Sequence, residues 1–443
     1  MQNAAPLPRI TWDNFSIWRN GGFGMGDTLV VQGGRGLYGA VDTPTAKNSV
    51  LPLLAASLLC HEPVRLHRVP RLSDVEDCLA ILRGVGAQTQ WVGRTVVVQA
   101  GEIVSTVLPT APVERMRASV LFLAPMLART GRVTAALPGG CRLGPRPIDI
   151  HLAGLAAMGA QVQNESCRMT LTAPGGLRGT DFTLRLPSVG ATETMLLAAA
   201  CAKGQTVLRG AACEPEIVDL ANFLNACGAR ITGAGSPVIH ITGVPQLGGA
   251  GYRPIPDRIA AATLACAVAA AGGHAVIRRC EPSAFAPVLE ALQRAGCSVA
   301  VDADCQLTVE RLGPLHGADL VQTGAHPAFP TDAAPLLAAA LLWADGETTV
   351  RDTVFRQRFA CAEGFAAMGA KVCVQGEQLT VCPGGRGRGA AVFAPDLRGG
   401  AALAIAALAV HEPVYIHNAA VLRRGYEDLP ALLRRLGAQA QLR

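Results

Sequence analysis

The chain has 443 residues, half of them apolar, and a formal net charge of +6. That length exceeds one ordinary domain and that composition can fill sizeable cores, so two or more domains are expected. The charge is mild and aromatic residues make up only 4%; basic grooves with stacking platforms for nucleic acid are not evident, and the balance suits small anionic substrates.

Residues 1–24 hold Trp12, Phe15, Trp18 and Arg19 with no continuous apolar run and no small-residue cleavage site. This does not match a secretory signal and leads to the expectation of a cytoplasmic protein. The segment is set aside from the fold. The first strand is expected at 28–32, and from there one pattern recurs six times: an Ala/Leu-rich helix, a β-branched run, a loop, an amphipathic helix and a glycine stop. The stops fall at Gly86, Gly159, Gly228, Gly296, Gly369 and Gly437, with spacings of 73, 69, 68, 73 and 68 residues. A period this regular and this long indicates a duplicated α/β unit rather than a solenoid.

In the first unit Ser73 and Glu76 read as a capping box, and Val75, Leu79 and Leu82 line one helix face before Gly86. Ile217, Leu220 and Leu224 repeat that face before Gly228, and Leu429, Leu432, Leu433 and Leu436 before Gly437. Glycine suits each stop because the residue after a helix often takes a left-handed backbone. Residues 206–209, 275–278 and 414–417 alternate as strands do. The apolar stretches 336–343 and 401–410 are too short and Ala-rich to span a bilayer and read as buried helices. Six units exceed one core, so they divide three and three, with a boundary near 254–257, where Tyr-Arg-Pro-Ile-Pro-Asp interrupts the pattern.

Fourteen cysteines lie without the short spacings of a disulfide scaffold or zinc site, and most, such as Cys60, Cys201, Cys227 and Cys266, sit among Ala and Leu as core thiols. Cys141 differs: it follows Gly139-Gly140 in a run with Pro138, Arg142, Gly144, Pro145 and Pro147 that reads as a loop beside cations, where a thiol becomes reactive. His61 with His67, and His411 with His417, lack partners at metal-site spacing, so no metal is expected.

Four sequences carry the chemistry: Thr45-Ala46-Lys47-Asn48, the loop Leu137 to Pro147, His326-Pro327-Ala328-Phe329-Pro330-Thr331-Asp332, and Arg424-Gly425-Tyr426-Glu427. With Met116-Arg117-Ala118-Ser119, Pro187-Ser188-Val189-Gly190-Ala191-Thr192 and Glu214-Pro215-Glu216-Ile217-Val218-Asp219, they resemble the UDP-N-acetylglucosamine 1-carboxyvinyltransferase family from about Leu29 to the C-terminus. The relatives that act on shikimate 3-phosphate share the fold but normally read Lys-Ser at 47–48 and lack the Cys loop.

The resemblance implies an α/β fold of two inside-out barrels (βα prisms), each of three βαβαββ units with helices inside and sheets outside. It implies a double crossover near Lys47 and Asp257, so that 1–46 joins 257–443 in one lobe and 47–256 forms the catalytic lobe. It further implies transfer of the enolpyruvyl group of phosphoenolpyruvate to the 3′-hydroxyl of the nucleotide sugar, the first committed step of peptidoglycan precursor synthesis, with no cofactor, membrane, nucleic acid or obligate protein partner. Lys47, Arg117, Arg146, Arg398 and Arg424 then hold phosphate and carboxylate, a task for which the planar guanidinium fork is suited. Asn48 is a substrate hydrogen-bond partner, Cys141 the proton-donating or product-release thiol, and Asp332 the group that takes or positions the attacking hydroxyl's proton. Arg146, Pro147, Ile148, Asp149 and Ile150, with Pro187, Ser188, Val189 and Gly190, correspond to nucleotide contacts, and Val354 to a sugar contact.

Several positions depart from the family pattern: Thr45 for Gly, Ala260 for Glu, Arg423 for Asp, Arg356-Gln357 for Glu-Asn, Cys361 for His and Ala333-Ala334 for Met-Gln. These leave two alternatives open, a transferase acting on another uridine nucleotide and a catalytically reduced regulatory paralogue.

Overall fold

A computed structural model describes residues 27–139, 148–165, 167–303 and 306–443. The six stop glycines behave alike. Their φ values run from 91° to 109°, and in every unit the amide after the glycine donates to the carbonyl five residues back at 2.9–3.1 Å, from Ala87 to Leu82 through Ala438 to Leu433. That is the Schellman closure, which requires the left-handed backbone that glycine adopts without a Cβ clash. The helix faces read from sequence are buried, except that Leu432 is half-buried.

The described strands form five four-stranded sheets and one three-stranded sheet, one for each repeat. The strands expected at 206–209, 275–278 and 414–417 lie within Gln205–Arg209, Gly273–Arg278 and Val414–His417. Strand Leu29–Gln32 is held between Val414–His417 and Gln439–Leu442, antiparallel to both, while Leu37–Asp42 runs parallel to Gly273–Arg278.

Two hydrophobic cores result. One draws on Val50 through Leu247; the other joins Leu29, Val31, Leu37 and Val41 to residues from Ile259 to Ala440. At the centre of the second, helices Arg258–Ala271, Ala334–Ala340 and Leu397–Leu408 pack on one another and are buried on nearly every side. A helix apolar all round must be internal, and short alanine side chains let three such helices approach closely while keeping high helix propensity. The helices Lys47–Ala56 and Val189–Ala199 occupy the same kind of place in the first core.

The chain crosses between the cores twice, side by side. Ala46 N–H donates to Ile255 O at 2.9 Å and Asp257 N–H to Pro44 O at 2.8 Å, with Thr45 bridged to Pro256. Behind this pair, the Asp219 carboxylate accepts from the Ser49 hydroxyl, from Tyr252 Oη at 2.7 Å and from Ile255 N at 3.3 Å.

Two local expectations are corrected. Ser73 is the first helical residue of Ser73–Gly84, whose N-cap is Leu72 with no side-chain cap, and Glu76 instead accepts from Trp91 Nε1 at 3.0 Å; a tertiary partner has displaced the local one. Of the four cysteines named as core thiols, Cys60, Cys227 and Cys266 are buried but Cys201 is only half-buried, and elsewhere Cys167 and Cys373 are exposed. All twelve described cysteines are unbridged. No helix among the described residues is long and apolar enough to cross a membrane.

Candidate active site

Lys47 opens helix Lys47–Ala56 at the first crossing. Its backbone N–H donates to Asp257 Oδ2 at 3.3 Å, and the other oxygen of Asp257 caps helix Arg258–Ala271 through Ile259 N and Ala260 N, both at 2.9 Å. One carboxylate thus fixes the starts of both crossing helices. The Lys47 ammonium then meets Asp74 Oδ2 at 2.7 Å. Burial pushes Lys47 below its ordinary pKa; Asp74 opposes this, whereas Arg424 and Arg398 add to it. Both arginines lie close enough for their charge to be felt at Lys47, so the three cations are neighbours despite their repulsion.

Asp74 is shared. Arg424, from the segment Ala419–Arg424 of the second core, donates from Nε to Oδ1 at 2.9 Å and from Nη2 to Oδ2 at 3.2 Å. Burial alone would raise the Asp74 carboxyl, but Lys47 and then Arg424 more than reverse that and hold it below its ordinary value. A carboxylate 3% exposed between two cations is stable only as a closed, hydrogen-bonded set.

A second set surrounds Asp332 in the short helix Thr331–Ala333. Arg398 donates to Oδ2 from Nε at 3.2 Å and Nη2 at 3.0 Å, and Arg358 donates to Oδ1 at 3.1 Å. Arg398 is fixed in turn by Tyr426, whose Oη accepts from Nη1 at 3.2 Å and meets Thr263 Oγ1 at 2.8 Å. Arg358, 1% exposed, also donates to Thr331 Oγ1 at 3.1 and 3.0 Å and to Asp352 Oδ2 at 3.3 Å. Asp352 receives the Thr331 hydroxyl and the amides of Val354 and Phe355 at 2.7 and 2.9 Å. Burial would raise the Asp332 carboxyl; Arg398 and Arg358 reverse it and hold it well below the usual carboxylate range.

Most of the other sequence-predicted residues lie on segments of the first core. Asp149 starts helix Asp149–Ala157 and pairs with Arg185 at 2.5 Å. His151, two residues further along the same helix, is buried with Nδ1 2.8 Å from Thr194 Oγ1. Burial drives its pKa down to about 4, with Arg117 adding to the effect and Asp149 opposing it, so it is neutral near pH 7. A Cβ at Gly190 would stand 3.0 Å from the His151 ring; the glycine is what admits the close approach. Ser188 caps helix Val189–Ala199 through Ala191 N at 3.4 Å, Pro187 is exposed, and Ile148, Ile150, Val189, Arg117 and Asn48 are half-buried. Val354 is exposed on the loop after Asp352. Cys141, Arg142, Arg146 and Pro147 lie outside the described residues.

The structure therefore brings Lys47, Asp332, Arg398 and Arg424 together. It also reveals partners that sequence reasoning missed, Asp74, Arg358, Asp352, Arg185 and His151, and gives a role to Asp219, which a motif contained without one. Asp74 lay inside the supposed capping box, and Arg358 directly follows the divergent Arg356-Gln357 pair, so position relative to a motif was the only available signal. Arg356 and Arg423, which replace family acids, pair at the surface with Glu377 at 3.7 Å and Asp27 at 2.9 Å. Among the described residues no group of His, Cys, Asp and Glu could hold a metal ion.

Residues 31–433 match the family model of EPSP synthase (3-phosphoshikimate 1-carboxyvinyltransferase). The chain belongs to the enolpyruvyl transferases of the EPSP synthase family. Within that family it is 41% identical over 416 residues to UDP-N-acetylglucosamine 1-carboxyvinyltransferase 2 of Carboxydothermus hydrogenoformans, covering 94% of this chain and 99% of that one. It is 42% identical over 417 residues to the UDP-N-acetylglucosamine 1-carboxyvinyltransferase of Dichelobacter nodosus, with the same coverage. Among solved structures, the enolpyruvyl transferase NikO from Streptomyces tendae superposes with a TM-score of 0.84 at 28% identity, covering 94% of this chain and 99% of that one. EPSP synthase from Acinetobacter baumannii shares the fold with a TM-score of 0.71 at 18% identity, covering 94% and 100%.

Proposed function

We propose that this enolpyruvyl transferase moves the enolpyruvyl group of phosphoenolpyruvate onto the 3′-hydroxyl of UDP-N-acetylglucosamine with release of phosphate, the first committed step of peptidoglycan precursor synthesis. Near-full-length identity of 41% and 42% to relatives named for that acceptor carries the reading. The same reading places the enzyme in the cytoplasm and treats 47–256 and 1–46 with 257–443 as two lobes that close on substrate.

The reaction joins the sugar oxygen to C2 of phosphoenolpyruvate as the hydroxyl gives up its proton, puts a proton on C3, and then expels phosphate as the C3 methyl loses a proton. Lys47, Arg398 and Arg424 are suited to hold the phosphate and carboxylate and to favour charge building on the leaving group. Arg117 and Arg146 complete the set, and Asn48 meets the substrate. Asp332, clamped by two arginines, is a poor base, since an effective general base has a pKa near the working pH; its role is to accept and orient the attacking hydroxyl. Cys141 is assigned the proton-donating or product-release role, and Asp149, Ser188, Gly190 and Val354 line the nucleotide and sugar path.

The test is phosphate release from phosphoenolpyruvate with UDP-N-acetylglucosamine, UMP or shikimate 3-phosphate as sole acceptor. Release is expected with the nucleotide sugar, and equal or faster release with either alternative overturns the acceptor assignment. Cys141→Asp should retain more turnover than Cys141→Ser, because only the former keeps a group able to exchange protons near neutral pH.

A further inference from the structure

We propose that Glu427 is a positioning residue whose carboxylate latches the segment carrying Arg424 onto a preformed receptor of the first core, setting the alignment of Arg424 toward phosphoenolpyruvate. The inference rests on the functional reading above for the substrate named, and on geometry alone for the latch.

Glu427 receives Arg94 Nη1 at 3.3 Å on Oε1, and Arg94 Nη2 at 2.6 Å with the Arg71 amide at 3.3 Å on Oε2. The receptor is held by contacts independent of Glu427. Arg94 lies at the turn between strands Gln88–Val92 and Thr95–Gln99, and its carbonyl accepts from Val69 N at 2.9 Å. The Arg71 guanidinium stacks 4.3 Å over Trp91 and donates to Gly93 O at 3.4 Å. Trp91 ties this hairpin, through Glu76, to helix Ser73–Gly84. That helix also carries Asp74, the partner of Arg424.

One body thus presents Asp74 and Arg94, and one short segment presents Arg424 and Glu427. Between these two residues, buried Tyr426 anchors the segment to Thr263 and Arg398. Two contacts fix an orientation where one leaves a pivot: the Asp74 contact holds the Arg424 head, and the Glu427 contact fixes the rotation of the segment behind it. With Arg94 59% and Glu427 33% exposed, the latch is strong enough to align and weak enough to release, and it is open to screening by salt.

Steady-state kinetics on Glu427→Gln and Arg94→Ala test this. Each should raise KM for phosphoenolpyruvate about fivefold, the size of an exposed ion pair with good geometry, with KM for UDP-N-acetylglucosamine and the melting temperature nearly unchanged. The double variant should be no worse than the poorer single. Raising salt from about 0.05 to about 0.5 M should weaken phosphoenolpyruvate binding in wild type more than in Glu427→Gln. Small-angle scattering reads the latch without turnover: Glu427→Arg should enlarge the radius of gyration, and the swapped pair Arg94→Glu with Glu427→Arg should restore it. Wild-type protein that releases no phosphate would overturn the substrate reading while the scattering arm still decided the latch. Unchanged KM in Glu427→Gln and Arg94→Ala together with an unchanged radius in Glu427→Arg, or kinetic effects that simply add, would overturn the latch.

Discussion

Asp74 and Asp332 each stand between two cations, and both are held ionised, yet they are built for different ends. Asp74 is 3% exposed and joins Lys47 of one core to Arg424 of the other. Asp332 is 27% exposed and pairs with Arg398 and Arg358 of its own core. The first carboxylate has no surface left for a ligand and can only shape the cations around it. The second keeps an open side, and of the two it alone can meet a substrate directly.

The largest expected effect is on stability. Asp74→Asn leaves Lys47 and Arg424 without their shared counter-charge, a loss of about 3–5 kcal/mol for a broken buried pair, read by urea unfolding. Because the Asp74 pKa is lowered on folding, its contribution is present above the ordinary carboxyl value near 4 and is lost as pH falls through the folded value; the variant should lack part of the wild-type decline in acid. A variant as stable as wild type would erase the contrast.

Asp332→Asn should show the opposite split. Turnover should fall about a hundredfold, the scale of misplacing a reacting hydroxyl by about 1 Å, while unfolding shifts by less than for Asp74→Asn, since the site is partly solvated. Equal losses of stability in the two variants would mean that Asp332, too, is chiefly structural.

The smallest effect comes from a carboxyl without such partners. Glu193 lies in helix Val189–Ala199, 6% exposed, and burial, aided by Glu216 and Glu214, drives its pKa well above the ordinary value. The folded state then keeps a proton that the unfolded state releases above about pH 4.5, so wild type loses stability as pH rises. Glu193→Gln lacks this penalty and should gain on wild type as pH rises above about 4.5, measured by unfolding at several pH values. A difference independent of pH would show that Glu193 titrates normally and that two cations are not what keeps a buried acid charged here.

The sequence by itself determined the sixfold repeat, the helix faces and the glycine stops, because each is a local property: a left-handed residue, a 3.6-residue period, an alternating strand. It also marked Lys47, Asp332, Arg398 and Arg424, through resemblance to a family whose substrate is anionic. Only the tertiary structure decided how those charges are used. Asp74 finds Arg424 across 350 positions of chain, Arg398 finds Asp332 across 66, and Glu76 leaves its supposed cap for Trp91. Local spacing does not encode such pairings: the partner of a buried charge is whichever opposite charge the packed cores bring within reach, and the high cost of burying it alone selects that partner only after the fold has closed.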